Sequence, residues 1–171
     1  MDAFLKLPET LPLDRTAGAV LRLLGEEDWA LKQKLSEVPD IPRWTLYPPR
    51  MSETQARRRS QLNRERAAVG SAARYVVEVD EKPLGTAGIA FPERGPEVFY
   101  ALLPVGRGAG LATEAVRALT QWAVESGHPV VRLHTMEGNH ASENVAKRAG
   151  YTRAGQDTDD DGTVVTVWVS Q

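Results

Sequence analysis

Apolar and polar residues change their spacing several times along the 171-residue chain, and each spacing predicts an element. Ala19–Leu24 is a short apolar run and reads as a strand. Glu26–Leu35 reads as a short helix that ends near Pro39. Residues 39–50, "PDIPRWTLYPPR", are rich in proline and aromatics and read as a loop with fixed turns. "SETQ", Ser52 to Gln55, is a capping box that opens a second helix reaching about Ala68. Arg74–Val79 and Thr86–Phe91 read as paired strands around the turn formers of "DEKPLG", and Glu97–Leu102 as a further strand. Leu111–Glu125 carries Leu111, Ala115, Ala118, Leu119, Trp122 and Ala123 on one stripe, the mark of an amphipathic helix. Val130–Met136 reads as a strand, and Ser142–Ala149 as a short helix ended by Gly150. Thr152–Gln156 and Thr163–Val169 close the chain as a strand pair. The order βααβββαβαββ predicts an α+β fold, with a mainly antiparallel sheet and one βαβ crossover near its middle. No repeat or linker interrupts it, so residues 1–171 are expected to form a single domain.

Composition narrows the function classes. Hydrophobic residues make up 42%, enough for a core, and the net charge is −2, from 21 Lys+Arg against 23 Asp+Glu. That balance gives no global pull toward nucleic acid or an anionic membrane. The chain has no cysteine, which excludes disulfides, thiolate metal sites and a covalent cysteine intermediate. "MDAFLKLPETLPLD" does not read as a signal peptide, and no later stretch approaches a membrane span. A cytoplasmic location is the expectation.

The densest chemical signal is "VGRGAGLATEAV", Val105 to Val116. It lies between a predicted strand and a predicted helix. Glycines there let the backbone approach a ligand without Cβ clashes. The first amides of the helix have no intrahelical partner, so with the helix dipole they suit a phosphate or pyrophosphate. Arg107 adds positive charge. A Walker A loop needs Gly-Lys-Ser/Thr where this stretch has Gly-Leu-Ala-Thr. A Rossmann fingerprint needs a third glycine where Leu111 or Thr113 stands. A glycine-rich turn that merely connects strand to helix is the plainer alternative.

"RGAGLA", Arg107 to Ala112, resembles the Arg/Gln-x-x-Gly-x-Gly/Ala signature of the GNAT N-acetyltransferases. "NHASENVAKRAGY", Asn139 to Tyr151, is similar to that family's Asn-x-x-Ser-x-x-Val…Gly-Phe/Tyr segment. The two occur in the family's order, with a helix and a strand between them. "ATEAV" and "PRWTLYPP" are similar to the Rim-type branch, which acetylates protein N-terminal amines. The resemblance covers about Ala19 to Val169 and leaves residues 1–17 as an extended N-terminal segment. It implies the GNAT fold: a central sheet of about seven strands, splayed in the middle and flanked by about four helices. Acetyl-CoA would enter the splay as co-substrate, with no metal, and the amine acceptor would enter from the other side. By position, the backbone of Arg107, Gly108, Gly110, Leu111 and Ala112 would hold the pyrophosphate. Ala101, Leu102 and Leu103 would pair with the pantetheine arm, and Asn139 would contact it. A backbone amide near Ala101–Leu103 would polarise the thioester carbonyl. The acceptor that the resemblance implies is a peptide or protein N-terminal amine, or alternatively a small amine such as a polyamine or aminoglycoside. A domain that binds acyl-CoA without turnover is the competing class. Neither nucleic acid nor membrane is expected as a partner, and a homodimer is left open.

Amine chemistry sets the remaining roles. A lysine-like amine has a pKa of ~10.4 and an α-amine ~7.7–8.0, so the second reacts at neutral pH with little help. The leaving thiolate, near ~8.5 by analogy with cysteine, can take a proton from a hydroxyl in reach. Ser142 matches the position where some relatives place that hydroxyl, others using a tyrosine nearby; it also suits a helix N-cap. Glu97 is the first choice for the base and His134 the second; a solvated edge charge is the alternative for Glu97. Arg43, Trp44 and Tyr47 match the family's acceptor wall, unless the aromatics simply cap the core. "DTDDDG", Asp157 to Gly162, copies the first half of a calcium loop, but Trp168 stands where the closing glutamate belongs. A solvated hairpin turn fits better. The arginines of "RRR" at 57–59, with Arg64 and Arg66, read as a solvated helix face.

Overall fold

A computed structural model describes residues 5–171 of the chain, so Met1–Phe4 of the extended N-terminal segment lie outside the described residues. Eight strands form one sheet: β1 (Thr10–Pro12), β2 (Ala19–Leu23), β3 (Ala72–Val79), β4 (Lys82–Ala90), β5 (Glu97–Leu102), β6 (Arg132–Met136), β7 (Tyr151–Thr158) and β8 (Val164–Ser170). Their spatial order is β1-β2-β3-β4-β5-β6-β8-β7. Every neighbouring pair is antiparallel except β5 and β6. That pair is bridged by α4 (Leu111–Glu125), the one crossover the element order predicts. The remaining helices are α1 (Trp29–Glu37), α2 (Asp40–Trp44), α3 (Glu53–Ala68) and α5 (His140–Arg148).

Both faces of the sheet are covered. Tyr75 and Val77 of β3 join Ile89 and Val98 in a core under Leu111, Ala115, Val116 and Leu119 of α4. Val76, pointing the other way on the pleat, joins Ala101, Leu31 and Leu35 of α1, and Ile41 of α2. Among the described residues, the sheet opens at its one parallel pair. β5 and β6 are in register only at Glu97–Arg132 and Val98–Leu133. From Phe99 to Leu102, β5 keeps β4 on one side and has no strand on the other. This is the splay that the family resemblance implies.

Several expectations change. The sheet has eight strands rather than about seven, because Thr10–Pro12 pairs with Val20–Arg22 instead of remaining a plain extended segment. Five helices replace about four, because residues 40–44 of the proline-rich loop form α2. Pro39 is its N-cap and Pro42 sits in its first turn, where the missing N–H has no intrahelical partner to lose. The hydroxyl of Thr45 ends the helix by donating to the Ile41 carbonyl and accepting from the Tyr47 amide. The turn of "DEKPLG" is only two residues long. Asp80 and Glu81 adopt φ of 49° and 63°, the left-handed pair whose twist matches a hairpin, so β4 already starts at Lys82. The capping box forms as read, with the Ser52 hydroxyl accepting from the Gln55 amide and the Gln55 side chain accepting from the Ser52 amide.

Candidate active site

The splay is the floor of a cleft of about 1140 Å³ that reaches both faces of the sheet. At one end lies the glycine loop. A short 3-10 turn, Pro104–Gly106, leads out of β5, and Gly110 then caps α4. Gly108 and Gly110 have φ of +87° and +81°, a region that disfavours a side chain. A Cβ on either would meet no heavy atom within 4 Å, so the space before them is open. The Glu114 amide makes the first helical bond, to the Gly110 carbonyl at 3.0 Å, leaving the amides of Leu111, Ala112 and Thr113 outside the α4 ladder. Arg107 contributes less free charge than the sequence suggests. Its guanidinium forms a bidentate pair with Asp40 of α2 at 2.7 and 2.9 Å, and its Nε donates to the Leu102 carbonyl at 3.1 Å. The pair holds the Asp40 carboxyl below its usual range. Anion-binding capacity in the loop therefore rests on backbone amides.

Ala101 and Leu102 line the cleft beside this loop, whereas Leu103 does not. The Leu103 amide is already donated to the Leu84 carbonyl at 2.8 Å. Deeper in, Ser142 is the third residue of α5 rather than its N-cap. Asn139 is the cap: its side-chain oxygen accepts from the Ser142 amide at 3.3 Å, and its Nδ2 donates to Ser142 Oγ at 3.1 Å. Ser142 Oγ also lies 2.8 Å from the Tyr100 hydroxyl. Burial pushes the Tyr100 phenol up, against a smaller opposing effect of the Ser142 bond, so Tyr100 stays protonated. Sequence reasoning did not single out Tyr100. Its signal was a hydroxyl-bearing aromatic on the strand beside the glycine loop.

Glu97 and His134 come together at the other end of β5. His134 Nδ1 lies 3.1 Å from Glu97 Oε1 and 3.8 Å from Asp159 Oδ1. The bond to Glu97 raises the His134 pKa, partly opposed by burial. His134 Nε2 is buried without a hydrogen-bond partner. Asp159, Asp160 and Asp161, from the β7–β8 hairpin turn, extend this acidic end of the cleft.

The third wall is built by α2, α3 and β3. Trp44 and Tyr47 line it, and Tyr47 also packs in the core. Arg43 does not line the cleft; its guanidinium stacks 4.5 Å from the Trp44 ring centroid. Arg74 takes a place that no sequence spacing assigns. It donates to the Tyr47 hydroxyl and to Thr86 Oγ1, both at 3.2 Å, and lies 4.7 Å from the Phe99 ring centroid. Gly88, between them on β4, makes that stacking fit, since a Cβ there would come within 2.5 Å of the Phe99 ring. The arginines of α3 divide. Arg57 pairs with Glu53 and stacks on Trp29, while Arg59 and Arg66 line the cleft.

A parallel strand pair that opens beside a helix N-terminus with free amides defines an acyl-CoA-binding transferase architecture. The family model described as an acetyltransferase (GNAT) domain matches residues 19–152, and the chain belongs to that family. It is an acetyltransferase domain whose co-substrate is acetyl-CoA. No curated protein sequence matches it significantly. Among solved structures, RimL, a ribosomal L7/L12 alpha-N-protein acetyltransferase in complex with coenzyme A, superposes with a TM-score of 0.84 at 20% identity, covering 94% of this chain and 97% of that one. The aminoglycoside acetyltransferase AAC(6')-Ib in complex with coenzyme A has a TM-score of 0.75 at 20% identity, covering 90% of this chain and 94% of that one. The microcin C7 self-immunity acetyltransferase MccE, in complex with acetyl-CoA and AMP, has a TM-score of 0.82 at 14% identity, covering 96% and 97%. All three share the fold with this chain. Among the described residues, no helix is long and apolar enough to cross a membrane.

Proposed function

We propose that the chain transfers the acetyl group of acetyl-CoA to the N-terminal amine of a peptide or protein, by direct attack within a ternary complex. The observation that carries this reading is the continuity of the cleft. It runs from the free amides before α4, along the unpaired edge of β5, to the Glu97–His134 pair. The loop amides of Gly108, Gly110, Leu111 and Ala112 receive the pyrophosphate, whereas the Arg107 amide is already donated to the Pro104 carbonyl at 3.2 Å. The open edge of β5 at Ala101 and Leu102 takes the pantetheine arm, with Asn139 near it, and a backbone amide there polarises the thioester carbonyl. The amine nitrogen attacks that carbon, the C–N bond forms and the C–S bond breaks. Glu97, oriented by His134, takes the amine proton, and the Ser142 hydroxyl protonates the departing thiolate and recovers a proton from solvent. Tyr100, protonated and hydrogen-bonded to Ser142, keeps that hydroxyl in place.

An α-amine suits this site because it needs no strong base at neutral pH. The RimL likeness has a TM-score of 0.84, above 0.82 for MccE and 0.75 for the aminoglycoside acetyltransferase, which supports the same choice. The test is thiol release measured on peptides that differ only in a free or blocked N-terminus, beside spermidine and an aminoglycoside. Turnover on free N-termini with intersecting double-reciprocal lines is expected. Equal turnover of blocked lysine-containing peptides, or turnover on the small amines alone, would refute the acceptor. Parallel lines would refute direct attack, since no cysteine is present to carry an acetyl-enzyme.

A further inference from the structure

Next to the acceptor wall lies a smaller pocket of about 110 Å³, lined by Lys32, Arg59, Leu62, Asn63, Arg66 and Arg74. Four of these six side chains are basic, three of them arginines. They arrive from three elements: Lys32 from α1, Arg59 and Arg66 from one face of α3, and Arg74 from β3. Among the described residues, no carboxylate forms an ion pair with any of them. Lys32 is 2% exposed, and its ammonium donates only to Asn63 Oδ1. Arg74 Nε is buried without a partner. Buried cations are ordinarily paired, because an unpaired one forfeits its hydration without compensation. A cluster of cations that repel one another, opening on a substrate cleft, has the chemistry of an oxyanion site that awaits its ligand.

We propose that this pocket binds an oxyanion carried by the acceptor, a carboxylate of an acidic peptide N-terminal segment. This rests on the reading of Glu97 as the end of the cleft that receives the amine. Arg74 faces Phe99 across β4, and Glu97 lies two residues further along β5 on the same face. Two strand spacings and two residue rises separate Arg74 from Glu97 by about 12 Å. An extended peptide advances ~3.3 Å per residue, so its third and fourth residues sit ~7 and ~10 Å from an α-amine at Glu97, and a glutamate side chain there spans the rest of the way to the cations. The cleft is therefore bipolar: acidic at Glu97 and Asp159–Asp161, cationic at Arg59, Arg66 and Arg74. A polycationic acceptor satisfies one end and is repelled by the other.

The experiment uses matched peptides with a free N-terminus and an amidated C-terminus, differing only by Glu or Gln at position 3 or 4. A phosphoserine peptide at the same positions separates carboxylate from phosphate recognition. Thiol release gives kcat/KM, and calorimetry on the CoA-loaded protein gives affinity independently of turnover. A charge-assisted contact to these arginines predicts roughly ten- to hundredfold preference for the Glu peptide in both readouts. Arg59→Gln and Arg66→Gln should collapse that ratio toward one, and Lys32→Met should reduce it. Equal affinity for Glu and Gln peptides overturns the proposal. So does a rise in the acetyl-CoA KM of the arginine variants with the peptide ratio intact, which would assign the cations to the co-substrate. A phosphoserine peptide preferred over the Glu peptide by tenfold or more overturns the carboxylate assignment. Selective binding of Glu peptides without thiol release from any amine would uphold the pocket while refuting the catalytic reading.

Discussion

Replacing Lys32 by methionine should change how stability depends on pH, by an amount that follows from the structure. Burial, reinforced by Arg74, Arg59 and Arg66, pushes the Lys32 ammonium down to about 6 from an ordinary 10.5. Between those values the unfolded chain holds a proton that the folded chain has given up. Folding therefore releases a proton, and stability rises with pH across this window by up to ~1.36 kcal/mol per pH unit. From pH 7 to pH 9 the Lys32 contribution grows by about 2–3 kcal/mol. Methionine fills a similar volume without an ionisable group, so Lys32→Met lacks that slope and is expected to be the more stable protein at pH 7. The assay is urea unfolding of both proteins at pH 7, 8 and 9. With an m-value of about 1–3 kcal/mol/M, the difference in midpoint between wild type and variant should move by about 1 M, in favour of wild type, as pH rises. Comparing the two proteins cancels the titration of all other groups. Identical pH slopes would mean that Lys32 keeps its proton in the folded state, so that burial among the arginines does not displace it.

Gly110→Val should weaken CoA binding at least tenfold in calorimetry, at a stability cost of about 1–2 kcal/mol for a branched residue at φ +81°; unchanged affinity in a folded variant would place the phosphates elsewhere. Ser142→Ala should lower kcat by roughly 10²–10⁴ with little change in the acceptor KM, and Tyr100→Phe by less, since it only positions the serine; a KM effect with intact kcat would assign both to binding. Glu97→Gln should lower kcat/KM most at neutral pH, and it should also change stability with a defined sign. The Glu97 bond raises His134 above 6.5, so its stabilisation is complete below that pH and is lost as pH rises through the elevated value. The variant should therefore melt earlier than wild type at pH 5.5 and alike at pH 9, as read by thermal unfolding.

What the sequence declares clearly is what local chemistry encodes. The capping box at Ser52, the crossover helix stripe and the glycine loop each depend on residues within a few positions of one another. α2 and β1 were hidden for physical reasons. Two prolines usually end a helix, but they are tolerated at an N-cap and a first turn. A three-residue edge strand needs its partner to be recognisable. The co-substrate half of the candidate site was legible because backbone amides and glycines write a motif. The acceptor half was not, because its chemistry comes from side chains distant in sequence. Arg74 meets Phe99 only through the gap left at Gly88, and Lys32 meets Arg59 only when α1 packs on α3. Residues 59, 63 and 66 did carry a signal: their spacing puts them on one helix face, which the reading of a uniformly solvated arginine face overlooked.

The two halves of the cleft also differ in what they cost the fold. The loop before α4 uses dipoles that any helix start presents, so its readiness for an anion adds little strain beyond two glycines in a left-handed conformation. The basic pocket is different, because it crowds three arginines around a lysine that burial deprives of its proton, with no carboxylate to offset them, and this lowers stability. Arg107, by contrast, is paired with Asp40. Leaving Lys32, Arg59, Arg66 and Arg74 without such a partner, at the wall where the acceptor enters, is the arrangement of a site kept at the expense of stability. Its signature is a single substitution, Lys32→Met, that raises stability at pH 7 and lowers selectivity for acidic peptides together. A pocket with a purely structural role would move the first and leave the second alone.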